Sequence, residues 1–302
     1  GMAVQLARHF QAAGMVEKAG AYFCEAGERA RQLYGNREAV DHFRRAQALL
    51  QEVPAREPGR GRRRELLARI NESLGDVLEW TGEHKEAEAA YHHALTDVPQ
   101  GNEPWQARLH RKLGNINRFQ RRHDEALEAY DLAEITLGST PTGIVQAWWE
   151  EWVQIKLERM WLNYWLSRWR EISQLAHQVR ATVEERGTPS QRISLFLSLA
   201  TMYARRDRYA VSQETLDLCH TALAISLENE DLSHIAWARF VLGFNQRWAG
   251  DLDGADRQMQ TALALAERTG DIVHQARCLT YLTVLYFKRG RQPKSANARP
   301  AA

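Results

Sequence analysis

The sequence predicts an all-α protein built from stacked pairs of helices, and three observations lead to that prediction. The chain of 302 residues holds only 8 prolines and 19 glycines, too few turn residues for many short strands. Small and large residues recur along it at fixed spacings. Short turns separate the expected helices, as in Thr81-Gly82-Glu83 and Ala249-Gly250-Asp251.

Composition and charge exclude several classes of protein. The 40 basic and 38 acidic residues leave a net charge of +2, which gives no general attraction to nucleic acid or to an anionic membrane. Cys24, Cys219 and Cys278 are far apart and form neither a disulfide framework nor a CxxC pair. No apolar run approaches the ~18 residues that span a bilayer. We therefore expect a cytoplasmic protein with neither nucleic acid nor membrane as its partner.

The repeat is clearest in residues 69–99, where one glycine, two alanines and a tyrosine define its template. Three residues follow Gly75 at distances of 12, 16 and 19 positions, namely Ala87, Tyr91 and Ala94. Small residues let two helix axes approach to about 8 Å, and the large side chain fills the remaining gap. This spacing predicts one pair of closely packed helices.

The start of the chain fits the same template less completely. Two sets of small and large residues fit second helices, namely Ala19, Phe23, Ala26 and Ala39, Phe43, Ala46. We therefore predict degenerate helical repeats in residues 1–53. An arginine run next to Pro58 and Gly59 predicts an exposed basic linker over residues 54–64; its members are Arg60, Arg62, Arg63 and Arg64.

Residues 65–290 are predicted to form the main array of long repeats. The template recurs after Gly114 in residues 108–138 and after Gly243 in residues 237–267. The matching residues are Ala126, Tyr130, Ala133 and Ala255, Met259, Ala262.

The other segments of the array match the template more weakly. Residues 144–186 have the length of a helix pair, and residues 190–229 carry Ala200 at the glycine position. Residues 272–289 supply a first helix only, which we expect to cap the array. Residues 291–302 predict a flexible basic tail.

This pattern resembles the tetratricopeptide repeat, a helix–turn–helix unit that stacks into a solenoid. The resemblance implies a right-handed α-α superhelix of about six to seven helix pairs. Gly75 and Gly114 are 39 residues apart, whereas the standard repeat has 34. Long repeats of this kind resemble the sensor superhelices of bacterial signal-transduction ATPases and large transcriptional activators. The first 50 residues resemble the segment that follows the ATPase in ATPase-linked nucleotide cyclases, although the sequence has no GxxxxGK[ST] motif.

In this family the first helix of each pair lines a concave groove, and the resemblance implies which residues face it. These are Glu72, Asp76, Arg111, Asn115, Arg118, Phe119, Trp161, Tyr164, Trp165, Phe244, Arg247 and Trp248. Asparagine and arginine would bond the backbone or carboxylates of a peptide, and aromatic rings would take its apolar side chains. Arg111 and Asn115 resemble part of the carboxylate clamp of peptide-binding tetratricopeptide domains, whose other basic positions are not evident in the next pair.

Six of the 10 tryptophans lie within 22 positions, and two interpretations of them stay open. They either pack between adjacent helix pairs or line a pocket for a peptide or small apolar ligand. The six are Trp148, Trp149, Trp152, Trp161, Trp165 and Trp169.

Two functions of different classes follow from these patterns. The first is an interaction module without catalysis, the sensor or scaffold part of a bacterial signalling or transcriptional regulatory protein, which binds a protein, a peptide or a small effector. The alternative is an all-helical (α/α)-toroid carbohydrate-active enzyme, with its acids among Glu150, Glu151 and Glu158 beside the tryptophans. We expect no cofactor and no metal, because His92, His93 and Glu88 offer too few ligands for a metal site.

Overall fold

The computed structural model describes residues 1–52, 60–141 and 145–290, and this part of the chain forms fourteen helices and no strand. The all-α prediction is confirmed. The helices are α1 (Met2–Ala12), α2 (Val16–Gln32), α3 (Asn36–Gln51), α4 (Arg60–Trp80), α5 (His84–Asp97), α6 (Glu103–Phe119), α7 (His123–Leu137), α8 (Gln146–Trp165), α9 (Trp169–Arg186), α10 (Pro189–Arg206), α11 (Gln213–Glu228), α12 (Leu232–Ala249), α13 (Leu252–Thr269) and α14 (Ile272–Lys288).

The chain divides into two compact units, which we call the N-terminal unit (Gly1–Val179) and the C-terminal unit (Arg180–Ala302). In the N-terminal unit, α4 packs on α5 and α6 packs on α7, and α6 also contacts α8. In the C-terminal unit, α10 packs on α11 and α12 on α13, while α12 also contacts α10 and α14. Within each unit, the second helix of a pair packs on the first helix of the next pair, as α5 does on α6 and α11 on α12, and several first helices also contact one another.

The template glycines lie where two helices of a pair meet. A Cβ atom placed on Gly75 would lie 2.5 Å from the ring of Tyr91, and one on Gly114 would lie 2.5 Å from the ring of Tyr130. Both tyrosines are fully buried. Glycine is needed at these positions because any side chain there would overlap an aromatic ring.

The N-terminal helices share this packing in a way that the sequence analysis missed. A Cβ atom on Gly27 would lie 2.5 Å from the ring of Phe43, so α2 is the first helix of a pair with α3. Ala7 of α1 is also buried, and Phe23 follows it at the same distance of 16 residues. Helix α2 therefore packs as a second helix on α1 and as a first helix on α3.

The predicted linker and tail are only partly described. Helix α4 begins at Arg60, so the last five residues of the span 54–64 belong to a helix. Arg63 is buried there, and the Arg64 Nε donates a hydrogen bond of 3.2 Å to Asp97. Residues 54–59 of that span and the predicted tail, 291–302, lie outside the described residues.

The last described helix, α14, exposes several apolar side chains. Its exposed large hydrophobic residues are Ile272, Leu279, Val284 and Phe287. Terminal capping helices of repeat proteins carry a polar outer face. The exposed apolar side chains of α14 depart from this pattern.

Candidate functional site

Glu72 of α4 is buried and binds three donors from α6. It accepts hydrogen bonds of 2.7 Å from the Trp105 Nε1, the Arg108 Nε and the Lys112 Nζ. Burial by itself would raise the pKa of Glu72, but Lys112 and Arg108 outweigh it and lower this pKa to about 2. Glu72 therefore joins two neighbouring helix pairs, and its carboxylate is already occupied.

Asp76 and Glu79, one and two turns further along α4, share the hydroxyl of Tyr91. The Tyr91 oxygen lies 2.9 Å from Asp76 Oδ1 and 2.8 Å from Glu79 Oε2. Burial, reinforced by the charge of Asp76, raises the pKa of Glu79 to about 7. One hydroxyl proton serves only one carboxylate, so a proton on Glu79 satisfies the second contact.

The two residues that resemble part of a carboxylate clamp bind within the chain. The buried guanidinium of Arg111 donates through Nε to the Glu151 Oε1 at 2.6 Å, and its Nη2 lies 3.3 Å from Oε2. The Asn115 Oδ1 accepts a hydrogen bond of 2.7 Å from the hydroxyl of Tyr130. The guanidinium expected to hold a ligand carboxylate therefore holds a carboxylate of α8.

Arg118 and Phe119, the last two residues of α6, also have partners within the protein. The Arg118 guanidinium lies 4.5 Å from the ring centre of Phe119, and its Nη2 donates to Glu158 at 3.3 Å. The other neighbour of Phe119 is His84, stacked with ring centres 5.4 Å apart. The charge of Arg118 is therefore neutralised within the protein.

The structure thus brings the predicted charged residues of the N-terminal unit together, but they bind partners on the neighbouring helices. Sequence reasoning had not assigned those partners. One signal could have found them: Lys112 follows Glu72, Glu151 follows Arg111 and Glu158 follows Arg118, each by 40 residues. Opposite charges one repeat apart indicate ion pairs between successive first helices.

The tryptophans at the start of α8 belong to the core. Trp148 is buried, and its Nε1 donates a hydrogen bond of 2.9 Å to the carbonyl of Leu137. Its ring centre lies 4.9 Å from that of Trp149 and 6.3 Å from that of Trp152. For Trp148, the packing interpretation is therefore the correct one.

The aromatic residues at the end of α8 contact one another around Tyr164. Its ring centre lies 5.6 Å from that of Trp161, 5.3 Å from that of Trp165 and 6.4 Å from that of Trp169, each edge to face. Trp165 is 54% exposed. This group is therefore only partly enclosed.

The C-terminal unit contains a different group, which we call the Arg247 cluster: Tyr209, Phe244, Arg247, Trp248 and Tyr281. The Arg247 guanidinium carbon lies 4.3 Å from the ring centre of Trp248 and 5.8 Å from those of Phe244 and Tyr281. Tyr209 stacks on Trp248 with ring centres 4.4 Å apart.

Arg247 itself is only 7% exposed, and its Nε is buried without a hydrogen-bond partner. In the part of the chain that the structure describes, no carboxylate pairs with it. Burial lowers the pKa of its guanidinium. An arginine remains charged in proteins, so this position holds an uncompensated positive charge.

Two members of this cluster were missed by the sequence analysis. Tyr209 follows α10 in a turn with a positive φ of 65°, where helical spacing gives no register. Tyr281 lies on α14, which we predicted as a first helix and which has no template glycine from which to count its register. Phe244, Arg247 and Trp248 were predicted as ligand-contacting residues, and the structure does bring these three together.

The described residues contain no group of three or more His, Cys, Asp or Glu side chains arranged to hold a metal ion. None of the helices in the described ranges has both the length and the apolar character that a membrane crossing requires. The acids considered for catalysis have other contacts, since Glu150 accepts a hydrogen bond from Gln146. Glu151 and Glu158 are ion-paired with arginines of α6.

The fold defines a helical-repeat protein of the tetratricopeptide class. Residues 66–134, which span most of α4, all of α5 and α6 and most of α7, match the tetratricopeptide repeat family. The chain therefore contains tetratricopeptide repeats, and the resemblance seen in the sequence is confirmed. No curated protein sequence matches the chain significantly.

Solved structures share this fold over most of the chain. The apo form of RapI is 8% identical, with a TM-score of 0.63 over 88% of this chain and 97% of that one. A Rap protein complexed with Competence and Sporulation Factor is 15% identical, with a TM-score of 0.60 over 90% of this chain and 72% of that one.

A third similar structure is a signal-transduction ATPase with numerous domains from Pyrococcus horikoshii, which carries a tetratricopeptide repeat sensor. It is 14% identical, with a TM-score of 0.55 over 90% of this chain and 40% of that one. At these identities the three likenesses show the fold.

Proposed function

We propose that the chain is an interaction module, without catalysis of its own, that binds a segment of another protein at the Arg247 cluster. The observation that carries this proposal is the open aromatic surface of the cluster. Trp248 is 39% exposed and forms a flat surface by stacking on Tyr209. An exposed tryptophan that stacks on a half-buried tyrosine beside a buried arginine is typical of the residues that dominate protein interfaces.

The contrast with the N-terminal unit supports this choice of surface. There, the predicted residues Glu72, Arg111 and Arg118 already bind side chains of neighbouring helices. Their role is to join successive helix pairs. The predicted residues of α12 keep an exposed ring and an unpaired cation, which are available to a ligand.

We infer that the chain is the sensor or scaffold part of a bacterial signalling or transcriptional regulatory protein, and two similar structures are consistent with a signalling role. One of them is a Rap protein in complex with a factor, and another is an ATPase with a tetratricopeptide repeat sensor. We place this role in the cytoplasm, because Cys24, Cys219 and Cys278 are free thiols. The ion pairs of Glu151 and Glu158 disfavour the glycosidase alternative, since a general acid or nucleophile must be free to meet its substrate.

This proposal can be tested by selecting, from a random library of 12-residue peptides, those that bind the whole chain. We expect enriched peptides, and we expect Trp248→Ala to weaken their binding about tenfold, as the loss of an aromatic anchor does. Trp165→Ala is the matched control, because Trp165 is also exposed but belongs to the N-terminal unit. Absence of any enriched peptide, or unchanged binding by Trp248→Ala, would contradict the proposal.

A further inference from the structure

Arg118 and Arg247 occupy the same position in two repeats, one in each unit. Each lies four residues after the template glycine of its helix, and each is followed by an aromatic residue, Phe119 or Trp248. The guanidinium carbon lies 4.5 Å from the ring centre of Phe119 in the first case and 4.3 Å from that of Trp248 in the second. The chain therefore holds two copies of one arginine–aromatic arrangement.

The two copies differ in what the arginine binds. Arg118 donates to the carboxylate of Glu158, which the next first helix, α8, supplies. At Arg247 the next first helix, α14, supplies the ring of Tyr281. The pair of Arg118 with Glu158 shows, within the same protein, that an arginine at this position accommodates a carboxylate.

The surroundings of Arg247 provide no hydrogen-bond acceptor for its Nε–H. Phe244, Trp248 and Tyr281 lie around it, and the Nε is buried without an acceptor. A guanidinium that contacts rings still needs acceptors for its N–H groups, and a planar carboxylate matches its edge with two parallel hydrogen bonds.

We infer that Arg247 recognises a carboxylate of the bound peptide segment, and that an apolar side chain beside this carboxylate packs on Trp248 and Tyr209. This inference rests on the function proposed above and specifies the ligand as an acidic peptide. The carboxylate belongs either to an aspartate or glutamate side chain or to a peptide C-terminus.

Charge favours a carboxylate over a phosphate group. Phosphorylated ligands are recognised by clusters of arginines. The contacts of Arg247 with described residues are to aromatic rings, and they include no second guanidinium or ammonium group. A single cation among aromatic rings suits a ligand group with one negative charge and apolar neighbours.

The test uses peptides selected from the random library, each in four forms. The forms combine an acidic side chain or its amide (Glu→Gln, Asp→Asn) with a free or an amidated C-terminus. Titrations followed by tryptophan fluorescence give Kd for the wild-type chain and for Arg247→Met. For the wild type, we expect loss of the recognised carboxylate to weaken binding about 10- to 100-fold, the range for a hydrogen bond to a charged group. For Arg247→Met, we expect the acidic and neutral forms to bind alike.

The four forms distinguish the two sources of the carboxylate. If a side chain supplies it, only the change to Gln or Asn raises Kd; if the C-terminus supplies it, only amidation raises Kd. Arg268→Gln is the control for loss of one positive charge, since Arg268 is exposed on α13 of the same unit. Arg247→Lys keeps the charge and loses the planar fork, so we expect an intermediate preference for the acidic form.

Different failures have different meanings. Selected peptides that bind without any carboxylate, or an undiminished preference for the acidic form in Arg247→Met, overturn the inference and leave the interaction module standing. A library with no enriched peptide overturns the proposed function and this inference together.

Discussion

Glu72 and Glu79 show how the same helix places two carboxyl groups in opposite electrostatic settings. Both lie on α4, seven residues apart, and both are removed from most of the solvent. Lys112 and Arg108 lower the pKa of Glu72 to about 2 in spite of its burial. Burial and the charge of Asp76 raise the pKa of Glu79 to about 7. The two residues therefore affect stability in opposite directions.

We predict that Glu79→Gln stabilises the protein at pH 8. The pKa of Glu79 is raised in the folded state, so its ionisation costs stability as pH rises from about 4.5 to about 7, and the full cost remains above that range. The amide of Gln donates a hydrogen bond to the Tyr91 oxygen and carries no charge. We expect a gain of about 1–3 kcal/mol at pH 8 and almost none at pH 4, measured by urea unfolding. A gain that does not depend on pH would contradict the assigned pKa.

The opposite dependence is predicted for Glu72→Gln. A lowered pKa in the folded state contributes stability above about pH 4.5, and this contribution is lost as pH falls towards 2. We expect a loss of about 2–3 kcal/mol at pH 7 that disappears near pH 2. The control is Glu65→Gln, because the pair of Glu65 with Arg69 is exposed and should change stability by less than about 1 kcal/mol. An equal loss at pH 7 and near pH 2 would show that Glu72 acts through packing and not through its charge.

At the level of helices, the glycine–aromatic contact determines how closely two helices of a pair approach. We predict that Gly75→Ala destabilises the protein by about 1–3 kcal/mol, because the new methyl group overlaps the buried ring of Tyr91. Gly61→Ala is the matched control on the same helix, since a Cβ atom there meets nothing within 4 Å. It should cause no loss and a gain of up to about 1 kcal/mol. If thermal or urea unfolding shows that the two variants have the same stability, the close contact of Gly75 with Tyr91 does not contribute to stability.

The spacing of small and large residues was sufficient to predict these pairs, because the template records which side chains meet between two helices. It did not find Gly27 as the partner of Phe43, since α2 packs as both a second and a first helix. The template gives no positions for residues outside the helices, and Tyr209 was missed for this reason. The charged residues were expected on one face for a ligand, and their ion pairs become evident only when α4, α6 and α8 are placed side by side.

At the level of the whole molecule, each helix of a repeat array draws its stability from its immediate neighbours. Helix α12 contacts α10, α11, α13 and α14, whereas α14 contacts α12 and α13. We predict that amides of α14 exchange with deuterium faster than those of α12, which mass spectrometry of the whole chain measures. Equal protection of the two helices would mean that the C-terminal unit opens as one cooperative body.

Recognition of an acidic peptide by Arg247 is the most specific claim of this account, and the side-chain Nε–H resonance of Arg247 reports on it directly. The resonance can be assigned by its loss in Arg247→Met and then followed in ¹H–¹⁵N spectra during titration with a selected acidic peptide. We predict a downfield shift and slower exchange of this proton, because the buried Nε gains an acceptor. A peptide that binds while this resonance stays unchanged would contradict the account.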